Sequence, residues 1–218
     1  MSAEGATPAI TVKEGVNTVT LTGTFTAGKD YYVAVLPGEK TNLTVRFNGY
    51  LSKNWTSKVN IQQGHVANAK VLTAPEMFTW GVVGQHQGWD ISKPTPMYKV
   101  YEGTGDNNVN DVYAVLNIKL EDNGFKFAKF GLKNWDTANT HFGAWKKSSG
   151  KGYFNYSTEM PVGQWYDMWT NSCSGQKENL GVGNWSKSYD VYIKWTEYYP
   201  DSQHVYYTIV ETGTKVSY

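Results

Sequence analysis

The sequence predicts an all-β protein built from two β-sandwich domains of the immunoglobulin-like type in tandem. Aromatic residues make up 15% of the 218 residues and charged residues only 18%, a balance typical of secreted β-proteins. The 22 glycines and many Thr, Ser and Asn residues favour short strands joined by tight turns. No segment has the apolar spacing and caps of a helix, and we expect at most one helical turn, near residues 164–169.

The first domain is predicted to span residues 1–75 and to contain about six strands. Period-two alternation, β-branched residues and one continuous apolar run define these strands, and Pro37-Gly38 and Asn48-Gly49 predict turns between them. We expect the strands at residues 10–13, 18–25, 31–36, 43–47, 58–61 and 66–72.

The second domain is predicted to span residues 76–218. Its strands are expected at residues 77–83, 97–101, 112–120, 124–130, 179–182, 189–195 and 205–211. Long connections lie between some of them, above all from Lys146 to Lys177. Since long connections on a β-sandwich usually carry function, we expect binding residues there.

Charge and cysteine content exclude several classes of function. The net charge is +1 and no basic run is longer than Lys146-Lys147, so a nucleic-acid partner is not expected. The lone Cys173 excludes an intramolecular disulfide and a cysteine-based zinc site. The histidines lack metal-site spacing and no nucleophile elbow or phosphate loop occurs, so no metal, cofactor or catalytic residue is predicted. The histidines are His65, His86, His141 and His204.

The first residues bear on localisation. No apolar run approaches the length of a membrane span, and residues 1–9 lack the charged and hydrophobic regions of a signal peptide. Residues 2–8 are small and polar, like a linker behind a cleavage point. We therefore expect an exported protein whose signal and anchor are not in this chain.

Two tryptophans and a lysine form the pattern most informative about a ligand. Trp89 and Trp135 lie in turn-rich segments on either side of Phe125-Lys126-Phe127, whose alternation puts both phenyl rings on one strand face and the lysine on the other. An indole offers a flat apolar face, and an ammonium offers three donors. That combination suits a sugar ring.

A series of motifs carries a family resemblance. Gly-x-x-x-Gly-Trp-Asp at residues 84–90 precedes Pro-x-Pro-Met, Phe-Lys-Phe and a Trp nine residues past the Lys. Glu-Asn-Leu at residues 178–180 then precedes Ser-Tyr-Asp-Val-Tyr at 188–192. This order resembles the carbohydrate-binding modules of SusE/SusF-type outer-membrane starch-binding proteins over residues 76–218.

The resemblance implies roles for particular residues. Trp89 and Trp135 would stack on sugar rings, while Lys126 and Asn179 would bond to their hydroxyls. Further candidates near the same loops are Lys133, Trp145 and Trp165. The resemblance also implies a lipid-anchored protein of the bacterial outer membrane, which works beside a TonB-dependent importer or other surface proteins and touches the membrane only through that anchor.

Each candidate also has a structural explanation. Trp89 could plug a corner of the sandwich, and Lys126 could be a solvated strand lysine. The connection from Lys146 to Lys177 is longer than the resemblance implies. Its rings, Trp165 among them, would either border the glycan site or form a local mini-core. In both cases we expect that deleting the connection leaves the domain folded.

The predicted function is non-catalytic binding of a polysaccharide or oligosaccharide at the bacterial cell surface, with an α-glucan or another glycan held for uptake. Residues 20–60 resemble fimbrillin-like surface domains, which leaves a structural or adhesive protein as one alternative and a plain spacer as the role of the first domain. A β-sandwich glycoside hydrolase is the other alternative, and it needs two facing carboxylates. The available carboxylates are Asp90, Asp136, Glu159 and Asp167.

Overall fold

A computed structural model of the chain describes most residues from 9 to 218. The described ranges are 9–14, 17–41, 43–66, 72–104, 110–121, 124–135, 141–142, 154–155, 165–169, 179–182, 184–195 and 204–218. Within them the secondary structure is sixteen β-strands and one 3₁₀ turn, which confirms the all-β class. None of the described helical residues forms a helix long and apolar enough to cross a membrane. The chain divides into two compact units, Met1–Glu76 and Met77–Tyr218.

The first unit contains a four-stranded antiparallel sheet and a separate two-stranded pair. The sheet has the order β2-β1-β4-β5, and β3 pairs with β6. Buried apolar side chains of these strands, including Ile10, Leu43, Val45 and Leu51, form its core. The strands are β1 (Ala9–Glu14), β2 (Asn17–Thr22), β3 (Gly38–Lys40), β4 (Leu43–Phe47), β5 (Tyr50–Trp55) and β6 (Val59–Ile61).

One strand prediction for this unit was wrong, and two strands, β3 and β5, were not predicted. Residues 31–36 pair with none of the described strands, and Tyr32 and Leu36 are 71% and 66% exposed. Tyr31 is instead held locally, since its hydroxyl accepts from the Thr26 N–H. The predicted turn at 48–49 joins β4 to β5, a strand too polar to be recognised by alternation. The strand expected at 66–72 falls mostly on residues 67–71, outside the described residues.

The second unit is one ten-stranded sheet. Its path is β12-β14-β10-β7-β8-β9-β15-β16-β13, with β11 paired to β10. The strands are β7 (Met77–Gly84), β8 (Thr95–Tyr101), β9 (Val112–Ile118), β10 (Phe125–Lys129), β11 (His141–Phe142), β12 (Phe154–Asn155), β13 (Tyr166–Trp169), β14 (Leu180–Gly181), β15 (Tyr189–Trp195) and β16 (His204–Glu211).

One face of this sheet encloses the core, so the sheet must curl. Buried side chains from seven strands form a single cluster, to which Phe78, Met97, Phe127, Leu180 and Ile209 contribute. We call this the inner face. The opposite, outer face carries the alternate residues of each strand.

The connection from Lys146 to Lys177 differs from its prediction. Tyr166–Trp169 is a strand antiparallel to β16, where a helical turn was expected, and Phe154–Asn155 pairs with β14. The pattern Tyr-Asp-Met-Trp is compatible with a strand, and the edge of β16 supplies its hydrogen-bonding partner. These two described parts of the connection therefore belong to the main sheet.

Candidate functional site

Strand β10 presents its lysine and its phenyl rings to opposite faces of the sheet. Phe125 and Phe127 are fully buried in the core of the inner face. Lys126 is half-buried on the outer face, directly opposite Val83 of β7. The predicted alternation of rings and lysine is thus confirmed.

A small apolar cluster covers the outer face of the β7–β10 pair. Its buried members are Val83, Ile91 and Ala128. Trp89 and Trp135 pack against them together with Leu132, and all three remain partly exposed. Each indole is therefore anchored to the sheet while part of it faces solvent.

The two indoles meet edge to face and lie beside Lys126. The ring centroids of Trp89 and Trp135 are 6.1 Å apart and their planes form an angle of 62°. The Lys126 Nζ is 5.6 Å from the centroid of the Trp135 ring, a cation–π distance. Two ring faces in different directions and one ammonium thus occupy a single patch of surface.

A tight turn after β7 fixes the position of Trp89. Gln85–Gln87 form one 3₁₀ turn, and Gly88 and Trp89 follow with left-handed φ values of 73° and 59°. The Trp89 N–H donates to the Gly84 carbonyl at 2.9 Å. The indole Nε1–H donates to Gln85 Oε1 at 3.1 Å, which sets the orientation of the ring.

The residue after Trp89 stabilises the turn. The Asp90 N–H donates to Gln87 Oε1 at 2.9 Å, and Gln87 Nε2 donates back to the Asp90 carbonyl at 2.8 Å. The side chain and the backbone N–H of Ser92 both donate to Asp90 Oδ1. These bonds from Ser92, aided by Lys93, hold the pKa of the Asp90 carboxyl below its usual value. Asp90 is therefore ionised at neutral pH and is unsuited to act as a general acid.

His86 lies beneath the same turn. Its Nε2 shares a hydrogen bond of 2.9 Å with Thr95 Oγ1, while Nδ1 is buried without a partner among the described residues. Burial lowers the pKa of the imidazole to about 4, because the charged form would lose its hydration. The ring is accordingly neutral at physiological pH.

Asn179 reaches the same patch through strand register. Phe125 pairs with Leu180, so the antiparallel direction puts Asn179 opposite Lys126. The close approach of these two strand segments requires glycine at position 124. There φ is 72°, and an added Cβ would overlap the Leu180 carbonyl. That Cβ would also lie 3.3 Å from the Cβ of Asn179.

The structure thus brings together four of the predicted residues, and we call this patch the tryptophan surface: Trp89, Lys126, Trp135 and Asn179. Lys133 is exposed in the short segment that leads to Trp135. Trp145 lies outside the described residues. Trp165 lies at the other end of the sheet path, where its indole contacts Lys194 and Ser217.

Sequence reasoning missed three residues that build the tryptophan surface. Gln85 holds the indole of Trp89; Ile91 belongs to the apolar cluster on which both rings pack, and Leu132 packs on that cluster beside them. Ile91 and Leu132 are apolar residues in otherwise polar turns, a signal that the sequence does contain. Gln85 gives no such signal, since its role depends on the turn geometry.

The patch offers several groups that a ligand could contact. It combines two ring faces, an ammonium and an amide, and the described residues include no group of three or more His, Cys, Asp or Glu that could hold a metal ion. Of the carboxylates considered for hydrolysis, Asp136 and Glu159 lie outside the described residues. No protein-family model, no curated protein and no solved structure matches this chain.

Proposed function

We propose that the protein is a non-catalytic glycan-binding protein whose site is the tryptophan surface. The observation that carries the proposal is the contact of Trp89 with Trp135 at 62°, with the Lys126 ammonium 5.6 Å from the Trp135 ring. A sugar ring has apolar C–H faces and a rim of hydroxyls. The indoles would receive the faces, and Lys126 and Asn179 would bond to the rim.

The angle between the indoles favours a curved glycan. Consecutive units of an α-glucan turn with the helix of the polymer, so two rings in different planes would contact neighbouring units. Stacking on one ring contributes about 1–3 kcal/mol by analogy with base stacking. A site of this size would bind with a Kd in the micromolar to millimolar range.

The wider setting belongs to the same proposal. We infer that each unit is an immunoglobulin-like β-sandwich, with the curled sheet of the second unit closing over its own core. The exported protein would be held at the outer membrane by a lipid anchor and would pass glycan to a TonB-dependent importer or a neighbouring surface protein.

Affinity electrophoresis tests the proposed function. Native gels containing amylopectin, pullulan, xylan, dextran or mannan should retard the protein in at least one case. Trp185→Ala is the control variant and should be retarded like the unaltered protein. Trp185 is 49% exposed in the turn before β15 and is not part of the tryptophan surface. Release of reducing ends from the retarding polysaccharide would show an enzyme, and normal migration in all five gels would overturn the proposal.

Ionic strength distinguishes a neutral glycan from an acidic one. Lys126 would donate to uncharged hydroxyls, so few ions are released on binding and the Kd should change little between low and physiological salt. A steep loss of affinity with added salt would instead indicate a uronate polymer.

A structural or adhesive role is the second candidate, and one feature of the first unit favours it. Tyr32, Leu36 and Val66 are strongly exposed large apolar residues. Such residues are typical of protein interfaces. A tight protein partner recovered by pull-down and lost in a Tyr32→Ser/Leu36→Ser variant, with no glycan binding, would decide for this role.

A further inference from the structure

A second group of aromatic residues lies on the outer face of the same sheet. Register pairs Tyr98 of β8 with Ala114 of β9, Ala114 with Tyr192 of β15, and Tyr192 with Thr208 of β16. Because Tyr166 pairs with Tyr207, Trp165 continues this row opposite Thr208. Two tyrosines thus flank a small alanine in this row. The outward face of an antiparallel sheet more commonly carries polar residues.

Further rings extend this row. Tyr218 stacks on Tyr101 with centroids 5.1 Å apart and planes at 27°, and it lies 6.1 Å from the ring of Tyr192. Tyr218 is itself 44% exposed. The ring of Tyr218 is therefore the part of this aromatic group that faces solvent.

A lysine and a tryptophan repeat the chemistry of the first site here. The Lys194 Nζ lies 4.1 Å from the centroid of the Trp165 ring, and Trp165 Nε1–H donates to the Ser217 carbonyl at 2.9 Å. Lys194 is half-buried, and this burial lowers the pKa of its ammonium. Lys126 and Trp135 of the tryptophan surface form the same kind of contact between an ammonium and an indole.

The row also contains a polar atom without a partner. Thr208 is fully buried between Tyr192 and Trp165, and its Oγ1 has no hydrogen-bond partner within the described part of the chain. Buried hydroxyls are nearly always satisfied in native proteins. Because Thr208 is 0% exposed, it lies under the row and is not counted as a ligand contact.

We propose that this group is a second glycan-binding surface, separate from the tryptophan surface and specific for the same class of neutral sugar. We call it the tyrosine surface; its residues are Tyr98, Tyr101, Trp165, Lys194 and Tyr218, and the buried Tyr192 packs beside Tyr218. The inference rests on the proposed function. Two sites in one unit would bind a polymer more tightly than either site binds a short fragment, because the second contact is intramolecular.

Calorimetric titration of the full chain with short sugars tests the second site. The probes are maltotriose, isomaltotriose, xylotriose and mannotriose, each too short for one molecule to engage both surfaces. We expect one of them to bind with a stoichiometry of two. Tyr218→Ala and Trp89→Ala should each reduce the stoichiometry to one, and the double variant should not bind.

Two more variants complete the design. Lys194→Met keeps the aliphatic stem but removes the three donors, and it should weaken the second site at least tenfold with an unchanged melting temperature. Tyr32→Ala removes a tyrosine of the first unit that is 71% exposed, against 44% for Tyr218, and should leave both sites intact.

The outcomes separate the two proposals. A stoichiometry of one that Trp89→Ala abolishes and Tyr218→Ala leaves unchanged would overturn the tyrosine surface and leave the proposed function standing. A stoichiometry of one with the opposite response would support the tyrosine surface and overturn the tryptophan surface. Absence of binding by the unaltered chain to every probe and every polysaccharide would overturn both.

Discussion

The indole of Trp89 is hydrogen-bonded to Oε1 of Gln85, four residues earlier, at 3.1 Å. The bond crosses the 3₁₀ turn and holds the ring over the outer face of β7. Because the Gln85 amide has its oxygen on the indole, its two N–H donors are directed elsewhere and can serve a ligand.

Gln85→Ala should therefore weaken glycan binding several-fold with little change in the melting temperature, since Gln85 is an exposed residue that orients the ring. Titration with the retarding glycan measures the effect. Gln62→Ala changes the same residue type in an exposed turn of the first unit and serves as the control. Equal affinity in the two variants would mean that packing alone positions Trp89.

Trp89→Ala and Trp135→Ala should each reduce affinity at least tenfold, because a stacking ring contributes more than about 1.4 kcal/mol. Each should also destabilise the unit, by less than the roughly 3–5 kcal/mol lost when a fully buried tryptophan is truncated. Binding titration and urea denaturation report the two effects separately. A stability loss with normal affinity per folded molecule would show that the rings only plug the sheet.

Gly124→Ala should destabilise the second unit strongly and weaken binding. The left-handed backbone alone costs about 1–3 kcal/mol, and the new Cβ would in addition overlap the Leu180 carbonyl and displace Asn179. Gly213→Ala is the matched control, because its φ is 89° and an added Cβ meets nothing within 4 Å. Similar losses of unfolding free energy in both variants would contradict the close packing of β10 and β14.

His86 should make stability depend on pH. The pKa of His86 in the folded protein is about 4, below its ordinary value of 6.5. Between these two pH values His86 is protonated in the unfolded chain and neutral in the folded protein, so the folded state loses stability as the pH falls. Stability should be complete above pH 6.5 and fall as the pH drops toward 4. Asp90 also has a lowered pKa, so its contribution is lost only at pH values below about 4, its ordinary range.

His86→Gln isolates this effect, because the amide can keep the bond to Thr95 without titrating. Denaturation at several pH values should show a smaller loss in the variant. The difference should be at most about 3 kcal/mol, given about 1.4 kcal/mol per pKa unit and a ring that is only partly buried. If the free energy of unfolding changed with pH in the same way in both proteins, the imidazole of His86 would be solvated in the folded state.

Deletion of residues 146–177 should destabilise the second unit, contrary to the expectation from sequence. The deletion removes Tyr166–Trp169 and exposes the edge of β16, which would also promote aggregation. Replacing residues 170–177 by an equally long Gly/Ser segment leaves this strand in place and is the control. An unchanged melting temperature for the deletion would show that β13 contributes nothing to the sheet.

Local patterns were sufficient for much of this fold. Alternation predicted the strands of the central sheet, including the opposite faces of Phe125 and Lys126, because a residue's face depends only on its parity in the strand. The same patterns misassigned residues 31–36 and the segment around Tyr166. In both cases the deciding factor was the presence or absence of a distant partner strand, which no local window contains.

The site shows the same division. Trp89, Lys126 and Trp135 could be predicted as a group from residue type and spacing. The position of Asn179 depends on the register of β14 against β10, and that register in turn depends on Gly124. Trp165 was a candidate for the first site because it lies in the long connection that was expected either to border that site or to form a local mini-core. Its contacts with Lys194 and Ser217 are distant in sequence and could not be predicted.

The left-handed backbone of Trp89 has a consequence for selection experiments. At φ 59° a large side chain is unfavourable, and glycine or asparagine would fit with less strain. In a library randomised at this position, a screen for heat resistance should enrich small residues, whereas a screen for ligand capture should retain aromatic ones. The two screens would therefore select opposite residues, and the sign of that divergence would report whether position 89 serves folding or recognition.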